Sequence, residues 1–295
     1  MLDRSEEGFR LLSNPLAITG KSPLWDEARG CVWWIDIQAQ RLLATDETGE
    51  TRVLPVPSQP GFVVLADSGR LVLGLENGLW TYAPESGEWE RHSDTESDRP
   101  TVRLNDGKPD RFGCLWFGSM DMTHQGLAIG RLYRRDALGE IRAVRENITI
   151  PNAIVPCGHG NNLLFTDSPT GQLEMIELDS ESGSILRSDV IYQTGGGITL
   201  DSGCLDVEGN VWVAVVGAGK VLQIAPSGRV LSEHLLPVSR ITAVAIGGRD
   251  GQTLFVTCQR RFLDAEQLSR EPGAGGLFSK PIPIPSSPVY RVAGL

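Results

Sequence analysis

The chain is poor in the residues that build thiolate and disulfide frameworks. Its five cysteines, Cys31, Cys114, Cys157, Cys204 and Cys258, are scattered, and no two form a CxxC pair. This spacing argues against a metal–thiolate cluster. Four of the five sit in or beside apolar runs, as small buried hydrophobes in a reduced compartment do. Histidine is scarcer still: His92, His124, His159 and His234 form no spaced cluster and receive no role. Positive charge is also short. Lys and Arg number 27 against 37 Asp and Glu, a net charge of −10, which leaves no electrostatic footprint for nucleic acid or an anionic membrane. The expected partner is a small molecule, or a protein, and nothing in the sequence specifies an oligomeric state. Long hydrophobic runs are missing: stretches such as Val211 to Gly219 are far too short to span a bilayer. The opening run from Met1 to Glu7 is charged and lacks the apolar core of a secretory signal, so the cytoplasm is the expected location. Helical periodicity is nearly absent. Leu263 to Leu268 reads as one short helix, ended before Pro272-Gly273.

Turn chemistry is what the chain has in quantity. Its 34 glycines and 18 prolines are spread as punctuation along the whole length rather than pooled in a linker. A unit of turn, glycine, then an apolar and aromatic run recurs, with marker glycines at 30, 69, 113, 160, 209 and 251. The gaps of roughly 40 to 50 residues match one four-stranded propeller blade per repeat. Second hairpins follow several copies, as in Gly78 to Tyr82 joined to Glu88-Trp89-Glu90, and Lys220 to Ile224 joined to Arg229-Val230-Leu231. The reading is an all-β, six-bladed β-propeller forming one domain over residues 1–295, with a twin β-sandwich as the alternative that the regular period disfavours. A closed ring leaves no exposed sheet edge. Phe9 to Leu12 is the segment expected to complete the last blade beside Gly276 to Ser279.

In such a fold the loops entering each blade's first strand converge, so polar residues just before those strands are the site candidates. Four stretches qualify: Thr19 to Trp25, Arg103 to Asp110, Ile148 to Ala153, and Leu200 to Gly203. Each also has a purely structural reading. Asp201 reads as a turn acid, Pro151-Asn152 as a turn in which asparagine tolerates the left-handed region, and Asn105-Asp106-Gly107 as a hairpin turn, to which Asp106 is mainly assigned.

The chain resembles the SMP-30/gluconolactonase/luciferin-regenerating enzyme family from Gly20 to about Phe278. The resemblance rests on Arg103-x-Asn105-Asp106-Gly107-Lys108-x-Asp110 followed by Gly113, Trp116 and Gly118-Ser119-Met120. It is supported by Ser22-Pro23-x-Trp25, Asn152, the run Asp201-x-Gly203-x-x-Asp206-x-Glu208-Gly209-x-x-Trp212, and Gly273-Ala274-Gly275-Gly276. It implies a six-bladed propeller that hydrolyses a sugar aldonolactone with the help of a divalent cation (Ca, Zn, Mn or Fe). It further implies Asn152 and Asp201 as metal ligands, Asp201 also as general base, and Arg103 and Asn105 as substrate-binding residues.

One position departs from the pattern. Members of the family carry a metal-binding glutamate in Gly-Glu-x-Pro, and this chain reads Gly20-Lys21-Ser22-Pro23. An ammonium thus replaces a carboxylate, which either weakens the metal site, substitutes Lys21 for the metal, or leaves a non-hydrolytic binding protein descended from a lactonase. Two smaller departures are Ser202 in place of a glycine and Thr123 near a position where some members use glutamate.

Overall fold

The computed structural model describes residues 8–123, 125–158 and 161–295. His124, His159, the marker Gly160 and the charged run from Met1 to Glu7 lie outside the described residues. The fold is a nearly all-β, six-bladed β-propeller. Each blade is a four-stranded antiparallel sheet. Their first strands are Gly20–Asp26, Pro60–Leu65, Val102–Pro109, Pro151–Pro156, Thr199–Leu205 and Ile241–Gly247. Packing divides the chain into two compact units, Met1–Val56 with Asp201–Pro288 and Pro57–Leu200 with Val289–Leu295. The first unit holds blades one, five and six; the second holds blades two, three and four.

Within each unit the blades bury apolar faces against one another. Trp25 of blade one stacks on Phe255 of blade six, ring centroids 5.9 Å apart, in a cluster with Val32, Trp34 and Leu277. In the second unit Phe62, Phe117 and Tyr133 join blades two and three, while Trp116, Ile154 and Phe165 join three and four. A fully buried side chain of this size contributes roughly 1.5–3 kcal/mol. Strand Arg10–Ser13 pairs antiparallel with Leu277–Pro281, in register Arg10 with Ser279 and Leu11 with Phe278, and completes the four strands of blade six.

The recurrent turns have a shared construction that the glycine spacing did not disclose. In three blades an aspartate ending the first strand, or just after it, accepts the indole N–H of the following strand's tryptophan: Asp26 from Trp33 at 3.1 Å, Asp110 from Trp116 at 2.9 Å, and Asp206 from Trp212 at 2.9 Å. The same carboxylates of Asp110 and Asp206 accept backbone N–H groups of their turns. Each satisfies a buried indole donor and pins a hairpin with one side chain.

The helix is Ala265–Arg270, shifted two residues from the sequence expectation because Asp264 forms a capping box with Gln267 and so starts the helix after itself. Among the described residues no helix is long and apolar enough to cross a membrane. Cys31, Cys114 and Cys258 are buried, and Cys157 and Cys204 are partly so.

Candidate functional site

The polar candidates were expected in loops before the first strands. They lie inside those strands. Lys21 is the second residue of Gly20–Asp26, Arg103 and Asn105 sit within Val102–Pro109, Asn152 is second in Pro151–Pro156, and Asp201 is third in Thr199–Leu205. The hairpin reading of Asn105-Asp106-Gly107 is overturned with them: Asp106 pairs with Gly118 and Gly107 with Phe117 in mid-strand, and Asp106 is buried. What accommodates polar residues there is a β-bulge. The register shifts between Lys21 and Leu24, between Leu104 and Asp106, and between Asn152 and Val155. The residues after Lys21 and Asn152 have left-handed backbones, Ser22 at φ 54° and Ala153 at φ 43°. A bulge re-aims a side chain out of strict alternation, and strain held at a non-glycine residue points to a constrained site.

In the first unit Lys21 and Asp201 form a buried ion pair, Nζ to Oδ1. Lys21 is 3% exposed, and the Asp201 side chain 13%. The same Oδ1 accepts the Ser202 N–H at 2.9 Å. Gly20 allows this approach: a Cβ there would lie 2.8 Å from the Cys258 carbonyl oxygen. Thr242 of blade six donates to the Gly20 carbonyl at 2.5 Å and exchanges a hydrogen bond with Thr257, fixing the strand that carries Lys21. Arg240 is close enough for Asp201 to act on its charge, although burial, the larger influence, pushes its pKa down.

In the second unit the candidates form a chain of hydrogen bonds. Arg103 donates through Nη1 to the Leu104 carbonyl and to Asn105 Oδ1, both at 2.8 Å. Asn105 Nδ2 donates to Asn152 Oδ1 at 3.0 Å and to the Pro151 carbonyl at 2.9 Å. Asn152 Nδ2 donates to Ser168 Oγ at 2.8 Å, and Ser168 donates to the Leu200 carbonyl at 2.6 Å. Arg103, Asn105, Asn152 and Ser168 are all buried. Arg103, Asn105 and Asn152 are therefore brought together within the second unit, and Lys21 and Asp201 within the first.

Sequence reasoning missed Ser168, Thr242 and Glu96. Glu96 is 5% exposed with φ 65°, and it accepts from Ser119 at 2.6 Å, Tyr133 at 2.7 Å and Arg99 at 2.8 Å. Burial, reinforced by this bond to Glu96, pushes the Tyr133 hydroxyl up to about 12. Ser119 stands opposite Leu104 on the neighbouring strand, so Glu96 buttresses the sheet that carries Arg103 and Asn105. No local motif marks Glu96. Ser168 had a weak signal, a hydroxyl before proline at a strand end.

The residues present do not fit a divalent cation. The carboxylate that the resemblance assigns as a ligand, Asp201, is held by an ammonium, which repels a cation placed beside it. Asn152 Oδ1 already accepts from Asn105. Among the described residues no group of three or more His, Cys, Asp or Glu side chains is placed to hold a metal ion.

A family profile described as "SMP-30/Gluconolactonase/LRE-like region" matches residues 19–260, and the chain belongs to that family. Its relatives include a Bacillus subtilis (strain 168) protein provisionally named sugar lactone lactonase YvrE, 27% identical, with 89% of this chain and 91% of that protein covered. The 6-deoxy-6-sulfogluconolactonase of Pseudomonas putida is 27% identical, over 94% and 96% of the two chains. Among solved structures, a calcium-binding regucalcin from Agrobacterium tumefaciens str. C58 superposes with a TM-score of 0.90 at 26% identity, covering 96% of each chain.

Proposed function

We propose that this protein hydrolyses a small lactone, with a sugar aldonolactone as the class to test first. The observation that carries the reading is the buried Lys21–Asp201 pair. Lactone opening needs a base for the attacking water and positive charge for the oxyanion that forms at the carbonyl. Asp201, partly open to solvent, takes a proton from water as the water oxygen bonds to the carbonyl carbon. Lys21, fixed in place by its bulge, carries the positive charge that stabilises the oxyanion. The ring C–O bond then breaks, the ring oxygen takes a proton, and the hydroxy acid leaves. The resemblance also assigns Arg103 and Asn105 to substrate; Asn105 already gives both amide protons to Asn152 Oδ1 and the Pro151 carbonyl, and no hydroxyl is assigned to it. No step is assigned to a metal. Membership in the family and the lactonase names of its relatives support the reaction class.

A second reading has an observation of its own. Lys21 neutralises the carboxylate that would act as base, and a chain so altered serves as a non-hydrolytic small-molecule-binding protein. Product formation with a panel of γ- and δ-aldonolactones, corrected for spontaneous opening, separates the two. Turnover that is lost in Asp201→Asn supports hydrolysis; ligand binding with no turnover on any lactone supports the binding protein.

A further inference from the structure

One face of blade five carries a row of side chains across the strands Val211–Val216, Lys220–Ile224 and Val230–Leu235. Trp212 stands opposite Gln223, and Gln223 opposite Ser232. His234 follows Ser232 by two residues and so shares that face; its ring stacks on Trp212 with centroids 4.9 Å apart. On blade six, Lys280 alternates with Phe278 and Ile282, which pack in one apolar cluster with Trp212. These residues of the first unit bound a cleft of about 480 Å³, the size of a small-molecule site. The segment that leaves strand Leu277–Pro281 lines the rest of it, with Pro283 and Pro285. That segment is held in place: the Ile282 N–H donates to the Gln252 carbonyl at 2.8 Å, Gln252 Nε2 to the Pro283 carbonyl at 2.9 Å, and the Val207 N–H to the Pro285 carbonyl at 3.0 Å.

Hydrogen bonds fix what the cleft offers. Gln223 Nε2 donates to Asp206 Oδ2 at 3.0 Å, which sets the orientation of that amide. Ser232 Oγ donates its proton to Gln223 Oε1 at 2.9 Å. Ser232 Oγ must then accept from His234 Nε2, 2.9 Å away, so the imidazole proton sits on Nε2. Ser232 is therefore not a nucleophile activated by His234, because the proton runs the other way. Burial, and after it the charge of Lys280, push the His234 pKa down to about 4, and the ring is neutral at pH 7. Lys280 is half-buried, and its ammonium lies 5.7 Å from the centroid of the Phe9 ring. Among the described residues no carboxylate ion-pairs with it. The lysines of two other strands have such a partner, Lys21 in Asp201 and Lys220 in Glu233. An ammonium in apolar surroundings without an acid attracts an anion more strongly than one in open water.

We infer that this cleft is a second binding site, for a small monocarboxylate with an apolar hydrocarbon body. Lys280 holds the carboxylate, and the imidazole ring and the prolines cover the body. The lining selects this class. Phosphate and sulfate call for several donors, yet Lys280 is the one cation among the lining residues, and prolines supply no N–H. A sugar acid needs partners for its hydroxyls, and Gln223 and Ser232 already bond one another. Glu208, the one lining carboxylate, is exposed and disfavours a second negative charge on the ligand. The site stands independently of the chemistry at Lys21 and Asp201.

The test uses the full chain. Calorimetry compares benzoate, indole-3-acetate and octanoate, each with its neutral primary amide, in the wild type, Lys280→Gln and Lys280→Arg. At least one acid should bind about tenfold or more tighter than its amide. That preference should fall toward one in Lys280→Gln and survive in Lys280→Arg, with thermal unfolding checking that each variant is folded. The imidazole Cε1–H resonance of His234, assigned with His234→Gln, should shift when the acid binds, which places the ligand in the cleft. A wild type that prefers none of the three acids to its amide overturns the site. So does a preference unchanged in Lys280→Gln, or a bound acid that leaves the His234 resonance unmoved. Gluconate bound as tightly as the apolar acids also overturns it, because the cleft would then select charge alone.

Discussion

The two units solve one problem in opposite ways. Each must hold polar side chains inside first strands, where a β-sheet core offers no water. The second unit sets one charge at the head of neutral groups in series: Arg103 begins the chain, and Asn105, Asn152 and Ser168 each donate to the next oxygen. The first unit uses two full charges, Lys21 and Asp201, facing one another. Amide chains are satisfied by geometry and lose about 1–3 kcal/mol when one link is cut. A buried ion pair contributes little net stability while intact, yet removing one partner leaves an uncompensated charge. The first unit therefore holds a charge pair that is costly to break, and the second a hydrogen-bonded chain that is cheaper to interrupt.

The largest expected effect comes from breaking the charged cluster chemically. Asp201→Asn keeps the side chain's shape, removes the base and leaves the Lys21 ammonium unpaired, so turnover should fall roughly 10²-fold or more and stability by about 3–5 kcal/mol, with circular dichroism checking that the assayed protein is folded. Full activity in that variant removes Asp201 from the mechanism.

Next in size is the loss of Lys21. Lys21→Met leaves the Asp201 carboxylate without its ammonium. A buried pair broken in this way costs about 3–5 kcal/mol, and the 13% exposure of the Asp201 side chain puts the expectation at the lower end, read by denaturant unfolding. Lys21→Glu sharpens the point, because it places two carboxylates side by side. Mn²⁺ or Ca²⁺ should raise the melting temperature of this variant and leave that of the wild type nearly unchanged. Tight cation binding by the wild type, equal in both forms, would show that Lys21 does not govern the site.

A third prediction concerns another ionisable side chain of the first unit. His234 stacks on Trp212 with centroids 4.9 Å apart, and burial, aided by Lys280, pushes its pKa from 6.5 down to about 4. The unfolded chain binds this proton more readily than the folded one. The stability contributed by neutral His234 is thus complete above pH 6.5 and is lost as the pH falls toward 4, by at most about 3.5 kcal/mol at roughly 1.4 kcal/mol per unit and by less because the ring is partly exposed to screening solvent. His234→Gln should flatten this part of the acid limb in thermal unfolding between pH 8 and pH 4; an unchanged limb assigns the acid sensitivity elsewhere.

The smallest effect belongs to the amide chain. Asn105→Ala or Asn152→Ala should cost about 1–3 kcal/mol and raise KM more than it lowers kcat. A loss in kcat as large as that of Asp201→Asn would move the chemistry to the second unit.

Much of the fold was legible because its signals are local. The marker glycines other than Gly160, the Val211–Val216 run and the second hairpins fall on strands and turns of the structure. Blade turns are specified by residues only a few positions apart, as Asp206 and Trp212 illustrate. The site was legible in composition but not in position. Lys21, Arg103, Asn105, Asn152 and Asp201 were singled out, yet assigned to loops, because charged and amide residues have low strand propensity. A bulge overrides that propensity, and a bulge depends on the register with the neighbouring strand, which no local pattern states. Glu96 escaped notice for the same reason: its partners Ser119 and Tyr133 come from other strands.

By itself the sequence determined the all-β architecture, the count of six repeats and the identity of the departure at Lys21, since these follow from short-range periodicity, turn chemistry and the residue type at a single position. Only the tertiary structure decided where that ammonium points. Lys21 and Asp201 are 180 residues apart, and their pairing required Gly20 to approach the Cys258 carbonyl, Thr242 to hold the Gly20 carbonyl, and a left-handed Ser22 to turn the side chain inward. Such a contact depends on closing long stretches of chain through packing that no local segment encodes, so the sequence could name both charges and only the fold could place one upon the other.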